Sequence, residues 1–284
     1  MTARDVAFVV NNLRDLPALP SVVLDLISAF GRDDIDVTTL ADKMSMDQGM
    51  AAKILRIANS SFYGLPAKVK TVRQAVLVLG FDNARALAVA SKVIGHFGGA
   101  HQARVAEFWR HSIATAVCAR SLARHAGLDH DAAFIAGLLH DIGRLVLAVG
   151  FPVEYARVLD ACAADEATLG EAELRILGVD HERAGQMLAE AWKFPAVIRR
   201  AIGNHHAPAG ADLADIPGVV HAANAVVLAL DLDGATHAAV PPLLDEAWDS
   251  LGLTDSHLLA ACRETEGQFE EACRLLMGSE DHER

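Results

Sequence analysis

Cysteine is scarce in this chain of 284 residues, and its four copies are scattered. Cys118, Cys162, Cys262 and Cys273 form no CxxC pair, which argues against a disulfide framework and for a reducing, cytoplasmic compartment. Aromatic residues make up only 5% of the chain, and much of the apolar content is Ala, Leu and Val. That composition suits helices packed closely on small side chains. Basic residues are outnumbered, 25 against 37 acidic ones, for a net charge of −12. A broad basic footprint for nucleic acid or anionic lipid is therefore not expected. No window approaches the ~20 apolar residues of a membrane-spanning helix. The N-terminus, MTARDVAFVVNNLRD, lacks the long apolar core and small-residue cleavage site of a signal peptide. Period-two alternation is never sustained, so a sheet is not expected either. Apolar residues at 52% and charged residues at 22% exclude wholesale disorder.

The pattern that is present is helical throughout, and the expected fold class is all-α. Punctuation divides it. Leu19-Pro20-Ser21 opens a helix that Gly31 closes. Thr38, Asp47, Thr71 and Asp82 are placed to start the next four, and Gly98-Gly99 is a break. A stripe of Phe108, His111, Thr115, Cys118 and Leu122 predicts a helix from Phe108 to Ala126. Asp131 to Val149 reads as one strongly apolar helix. Pro152, Leu169, Asp180 and Pro195 open further helices, and Val219 to Leu230 is another. Two amphipathic segments follow between Leu243 and Met277, then a charged end, GSEDHER. The organisation expected is an N-terminal helix (1–15), an N-terminal helical part (16–100), a His-containing helical core (101–230) and a helical tail (231–284).

The chain is rich in histidine, with 13 copies. His140-Asp141 sits late in the apolar run AFIAGLLHDIGRL. A buried, unpaired carboxylate costs several kcal/mol, so a counter-charge is needed there. A metal ion is one answer, since imidazole nitrogen and carboxylate oxygen both suit borderline cations. His111, His181 and His205-His206 lie on other helices, as ligands inside helical bundles do. Taken singly, each has a plainer reading. His111 fits a hydrogen-bonded core histidine, His181 a first-turn surface residue, and His205-His206 a helix end where imidazolium favours the dipole. Asp141 could pair with Arg144.

The order His, His-Asp, His, His-His resembles the HD superfamily of metal-dependent phosphohydrolases. HERAGQMLAEAWKFPAVIRRAIGNHH (181–206) is similar to the matching stretch of HD-GYP phosphodiesterases. LPALPSVVLDLISAF, MDQGMAAKILRIANSSFYG and KTVRQAVLVLGFDNARALAVA resemble the HDOD domain, a helical relative found in bacterial signalling proteins. This resemblance runs from about Leu16 to about Leu230, and ILRIANSSFYG…AVLVLG is its most specific part. It implies that His111, His140, Asp141, His181, His205 and His206 hold the metal, with Asn224 where the superfamily has a closing Asp. Asn is a neutral, weaker ligand. A set of His111, His140, Asp141 and Asn224 is weakened by it, whereas Asp141, His181, His205 and His206 form a complete set. Arg144 stands in place of the HD-GYP lysine, and APAGADLADIP contains no GYP signature.

The function implied is a bacterial signal-transduction module, not catalytic, that acts through protein partners and retains one or two divalent transition-metal ions (Fe, Zn, Mn or Ni). The alternative is a metal-dependent phosphohydrolase acting on a nucleotide or phosphodiester. A third reading is DNA binding. TLADKMSMDQGMAAKILRIAN (39–59) imitates a helix-turn-helix, with Lys53, Arg56, Lys68, Lys70 and Arg73 nearby, but two packed helices explain the same pattern and the acidic balance opposes it. Phe62, Tyr63 and Leu65 could line the core or form a partner-binding patch.

Overall fold

A computed structural model describes residues 37–60, 63–96, 102–163, 168–231 and 243–277. The helices expected over 1–15 and 20–31, the Gly98-Gly99 break, Phe62 and the charged end lie outside these residues. Every regular element among the described residues is helical.

Four helices form the N-terminal part: α1 (Val37–Ser45), α2 (Gln48–Ala58), α3 (Val72–Leu79) and α4 (Phe81–His96). Asp47 caps α2 by accepting from the Met50 N–H at 2.8 Å, and Thr71 caps α3 by accepting from the Gln74 N–H. Gly80 ends α3 at φ +80°, a conformation that only glycine adopts without strain. Two starts differ from expectation. Thr38 lies inside α1 rather than capping it, and α4 begins at Phe81, one residue before Asp82. The buried faces carry Met44, Met50, Ile54, Val76 and Leu87. After α2 the chain is pinned back by Asn59. Its amide donates to Leu55 O and Val69 O, both at 2.8 Å, and accepts from the Val69 N–H at 2.7 Å.

The next helix, α5 (Gln102–Ala126), is the axis of the molecule. From His111 to Ala123 it is buried all round. Its small residues, among them Ser112, Ala114, Ala116, Ala119 and Ala123, let neighbouring helices approach from several sides. Then follow α6 (His130–Leu139), α7 (Ile142–Gly150), α8 (Pro152–Ala163), α9 (Leu169–Leu177), α10 (His181–Ala191) and α11 (Ala196–Asn204). A 3₁₀ turn (Gly210–Ala214), α12 (Ile216–Ala229), α13 (Asp245–Ser250) and α14 (Asp255–Met277) complete the order. Helices α6, α12 and α14 pack directly on α5. The last is fastened by Arg110 to Glu270 at 2.8 Å, and by Ser121 and Arg124, which both donate to Glu264. Helices α8 and α9 form a separate small core with Leu147, Phe151, Val158 and Leu177.

Two sequence expectations are corrected here, and a choice left open at Tyr63 is decided. The run from Asp131 to Val149 is not one helix: α6 stops at Leu139, and His140-Asp141 forms the corner before α7. The stretch His130–Gly150 also meets the length and apolarity of a membrane span, with a mean hydropathy of 1.7. It is 72% buried inside the protein, as a core segment is. Finally, Tyr63 is not a free patch residue. Its ring lies half-buried under the Arg120 guanidinium, 4.6 Å away, while Leu65 is exposed.

Candidate metal centre

The corner at His140-Asp141 faces the start of α10 and the end of α11, and its placement depends on two glycines. A Cβ on Gly143 would stand 1.9 Å from the carbonyl oxygen of His181, and one on Gly185 would stand 2.7 Å from Ile202. Without side chains at these positions α7 and α10 close to backbone contact. Asp141 and His181 are thereby brought together.

Five of the residues expected at the site converge around a sixth, Asp141. Asp141, His181, His205 and His206 offer ligand atoms within 4.8 Å of one another, and so do His111, His140 and Asp141. The His205 and His181 Nε2 atoms lie 3.4 and 3.6 Å from Asp141 Oδ1. His140 Nε2 and His111 Nε2 lie 3.6 and 3.9 Å from Oδ2. These separations exceed a hydrogen bond. They suit donors sharing a cation, since two ligands ~2.0–2.2 Å from one ion sit roughly 3–4 Å apart, depending on the angle between them.

The tautomers sharpen this. His140 Nδ1 is 2.8 Å from Gly137 O, and His205 Nδ1 is 3.0 Å from Ile202 O. A carbonyl only accepts, so both Nδ1 atoms carry the proton. Their Nε2 lone pairs then face the Asp141 carboxylate, and neither Nε2 has a hydrogen-bond partner. Lone pairs aimed at a buried anion repel it unless a cation lies between them. The residues therefore fit a metal ion. Asn224 is buried on α12, and its Oδ1 also lacks a hydrogen-bond partner.

Electrostatics agrees with this reading. Burial opposes ionisation of Asp141, yet with the Arg144 guanidinium beside it the carboxyl still lies well below the usual carboxylate range. Arg144 donates to Asp141 Oδ2 at 2.7 Å, so the sequence's plainer pairing is also present. Burial pushes the His140 imidazole well below its ordinary value, and burial with His205 and His181 takes His206 down to about 3. Both rings are thus neutral, the form that binds metals. Burial works the other way on His181, but Glu173 raises it above its ordinary value.

Three supporting residues were not anticipated. Glu173, fully buried on α9, accepts from the His181 N–H at 2.8 Å and from its ring Nδ1 at 2.6 Å. Its place on the apolar side of α9, among Leu169, Ala172 and Leu177, was a signal available in the sequence. Glu182 accepts from the His206 N–H at 3.0 Å. His221 donates from Nδ1 to His205 O at 2.8 Å and accepts the Leu244 N–H at 3.0 Å, tying the site to the tail.

Comparison with known proteins agrees with the architecture. The HDOD domain family matches residues 16–208 of this chain. A solved structure from Shewanella amazonensis SB2B, provisionally named a phosphohydrolase, is 27% identical with a TM-score of 0.73, covering 94% of this chain and 97% of that one. Another, from Marinobacter aquaeolei VT8, is provisionally named a signal transduction protein. It is 25% identical with a TM-score of 0.71, covering 92% of this chain and 60% of that one. A curated relative from Treponema pallidum (strain Nichols), an uncharacterized protein, is 24% identical over 208 residues, and the chain spans 40% of that relative's length.

Proposed function

The chain belongs to the HDOD family, and on that footing we propose that it is a bacterial regulatory module of signal transduction. It acts in the cytoplasm through protein partners and holds a divalent transition metal without turning over a substrate. The observation that carries this reading is how deeply most of the donors are buried. Asp141, His140, His181, His205 and Asn224 are all 3% exposed or less. Structural metal sites are closed, whereas catalytic ones keep a position open to water and substrate. Asp141, His181, His205 and His206 would hold the ion most strongly. His111, His140, Asp141 and Asn224 offer a weaker second set. When bound, the ion supplies a fixed positive charge between helices α5, α7, α10 and α11. The protein groups do the rest: Asp141 and the unprotonated Nε2 atoms turn toward it, and Arg144 balances the remaining carboxylate charge. The free thiols of all four cysteines support a reducing compartment. The naming of one similar structure as a signal transduction protein supports the signalling role.

A phosphohydrolase is the second reading, and one feature favours it. His206 is exposed and the Arg144 side chain is a third exposed, so the site has one wet edge. A phosphate would meet Arg144 there. The structure provisionally named a phosphohydrolase points the same way. A hydrolysis screen with cyclic di-GMP, nucleotides and a generic phosphodiester, with manganese or ferrous iron added, separates the two. The regulatory reading expects no turnover above the blank. Turnover that Asp141→Ala abolishes would establish the hydrolase.

A further inference from the structure

Behind the proposed ligands lies a circuit of neighbouring polar groups, buried except at Arg144. Arg144 donates to Asp141. Arg144 in turn lies near enough to the Tyr155 hydroxyl for each to bear on the other's ionisation. Tyr155 donates to Glu173 Oε1 at 3.3 Å. Glu173 Oε2 accepts a hydrogen bond from His181 Nδ1, and His181 Nε2 faces Asp141 again. Tyr155 and Glu173 belong to α8 and α9, the helix pair with its own small core. Neither residue offers an atom to the convergent cluster itself. Resting on the reading of that cluster as a metal site, we propose that the α8–α9 pair serves as its outer support, with Glu173 and Tyr155 as positioning residues that set metal affinity.

The chemistry follows from the bonds. A carboxylate accepts only, so Glu173 fixes a His181 proton on Nδ1 and leaves Nε2, 2.9 Å from His206 Nε2, as the ring atom that faces the site. Its negative charge also makes the ring a stronger donor, an effect whose loss typically costs 10–100-fold in metal affinity. Glu173 has a second duty that a merely structural role would share. It accepts the backbone N–H of His181, the first residue of α10. Glu173→Gln separates the duties, because an amide oxygen can still accept that N–H but carries no charge. Tyr155 orients the carboxylate from its far side, so Tyr155→Phe tests the same arrangement more gently.

The test is a titration of metal-free protein with zinc against a chromophoric chelator, on wild type, Glu173→Gln and Tyr155→Phe. Imidazole ¹⁵N spectra of His181 are recorded in parallel. Glu173→Gln should bind about 10–100-fold more weakly with unchanged helicity, Tyr155→Phe should fall between it and wild type, and the His181 proton should lose its preference for Nδ1 in Glu173→Gln. Wild-type binding with equal affinity in both variants would overturn the proposal while leaving the metal site standing. If Glu173→Gln does not fold, Tyr155→Phe and the wild-type spectrum decide: wild-type affinity in Tyr155→Phe, or a His181 proton on Nε2 in metal-free wild type, overturns it. A wild-type chain that takes up neither zinc nor manganese would overturn the metal reading itself, and the proposal with it.

Discussion

The N-terminal helices (37–96) and the core that begins at α5 both bury apolar faces, but they treat polar groups in opposite ways. In the N-terminal part, Asp47 caps its own helix and pairs with Lys92, Asn59 fills all its bonds with the backbone of its own loop, and Ser60 and Ser91 bond back to carbonyls one turn earlier. Charge differs too: eight lysines and arginines stand there against three aspartates and no glutamate, in a chain whose net charge is −12. In the core, His140, His205 and Asn224 are buried with acceptors left unpartnered, and the two histidines gather near one carboxylate. Buried polar groups without partners cost about 1–3 kcal/mol each, so a fold keeps them where something else repays the loss. The N-terminal part therefore holds shape, and the core holds a site.

That contrast can be broken most forcefully at Asp141. Asp141→Ala leaves Arg144 and four imidazoles without their anion. Removing one partner of a buried ion pair costs about 3–5 kcal/mol, and metal content should fall to background. Denaturant unfolding and elemental analysis read both effects. Next comes Gly143→Ala, whose Cβ would collide with the His181 carbonyl. It should destabilise by about 3 kcal/mol, the upper end for overpacking, and weaken metal retention by separating α7 from α10. Unchanged metal content in a destabilised Gly143→Ala would mean that this crossing does not position the ligands.

In the N-terminal part the same measurements should split apart. Asn59→Ala strands the Val69 N–H and is expected to cost about 1–3 kcal/mol with metal content intact. Asp47→Ala is smaller, about 1 kcal/mol for a lost cap. It carries a pH signature. The Lys92 bond and then the Met50 N–H hold the Asp47 carboxyl below its ordinary value. A group depressed in the folded state stabilises it above the unfolded pKa, ~3.9, and loses that contribution as pH falls through the folded value. The variant should therefore lose stability less steeply than wild type below about pH 4. Metal loss in either variant would show that the two parts are energetically one.

Much of this was legible before the structure. Caps such as Asp47, Thr71 and Asp180 announce themselves by residue type and spacing, and the ligand histidines by their order. The break at His140-Asp141 was not legible. Leu138, Leu139, Ile142 and Leu145 keep helical spacing across it, and no glycine or proline marks the corner between the two helices. Glu173 was half legible, being a carboxylate on an apolar face whose partner comes from another helix. The bond of His221 to the backbone of His205 depends on how α12 crosses the end of α11, which no local pattern records. Which of its two places Tyr63 takes was not legible for a similar reason, because the arginine that covers it comes from α5.

The central claim is that the unpartnered donors around Asp141 hold a metal ion. Its most direct test is elemental analysis of protein purified without an affinity tag or added metal, beside Asp141→Ala prepared in the same way. About one equivalent or more of iron, zinc, manganese or nickel in the wild type, and near none in the variant, is the result this account predicts. Less than about a tenth of an equivalent of any such metal in well-folded wild type would contradict it.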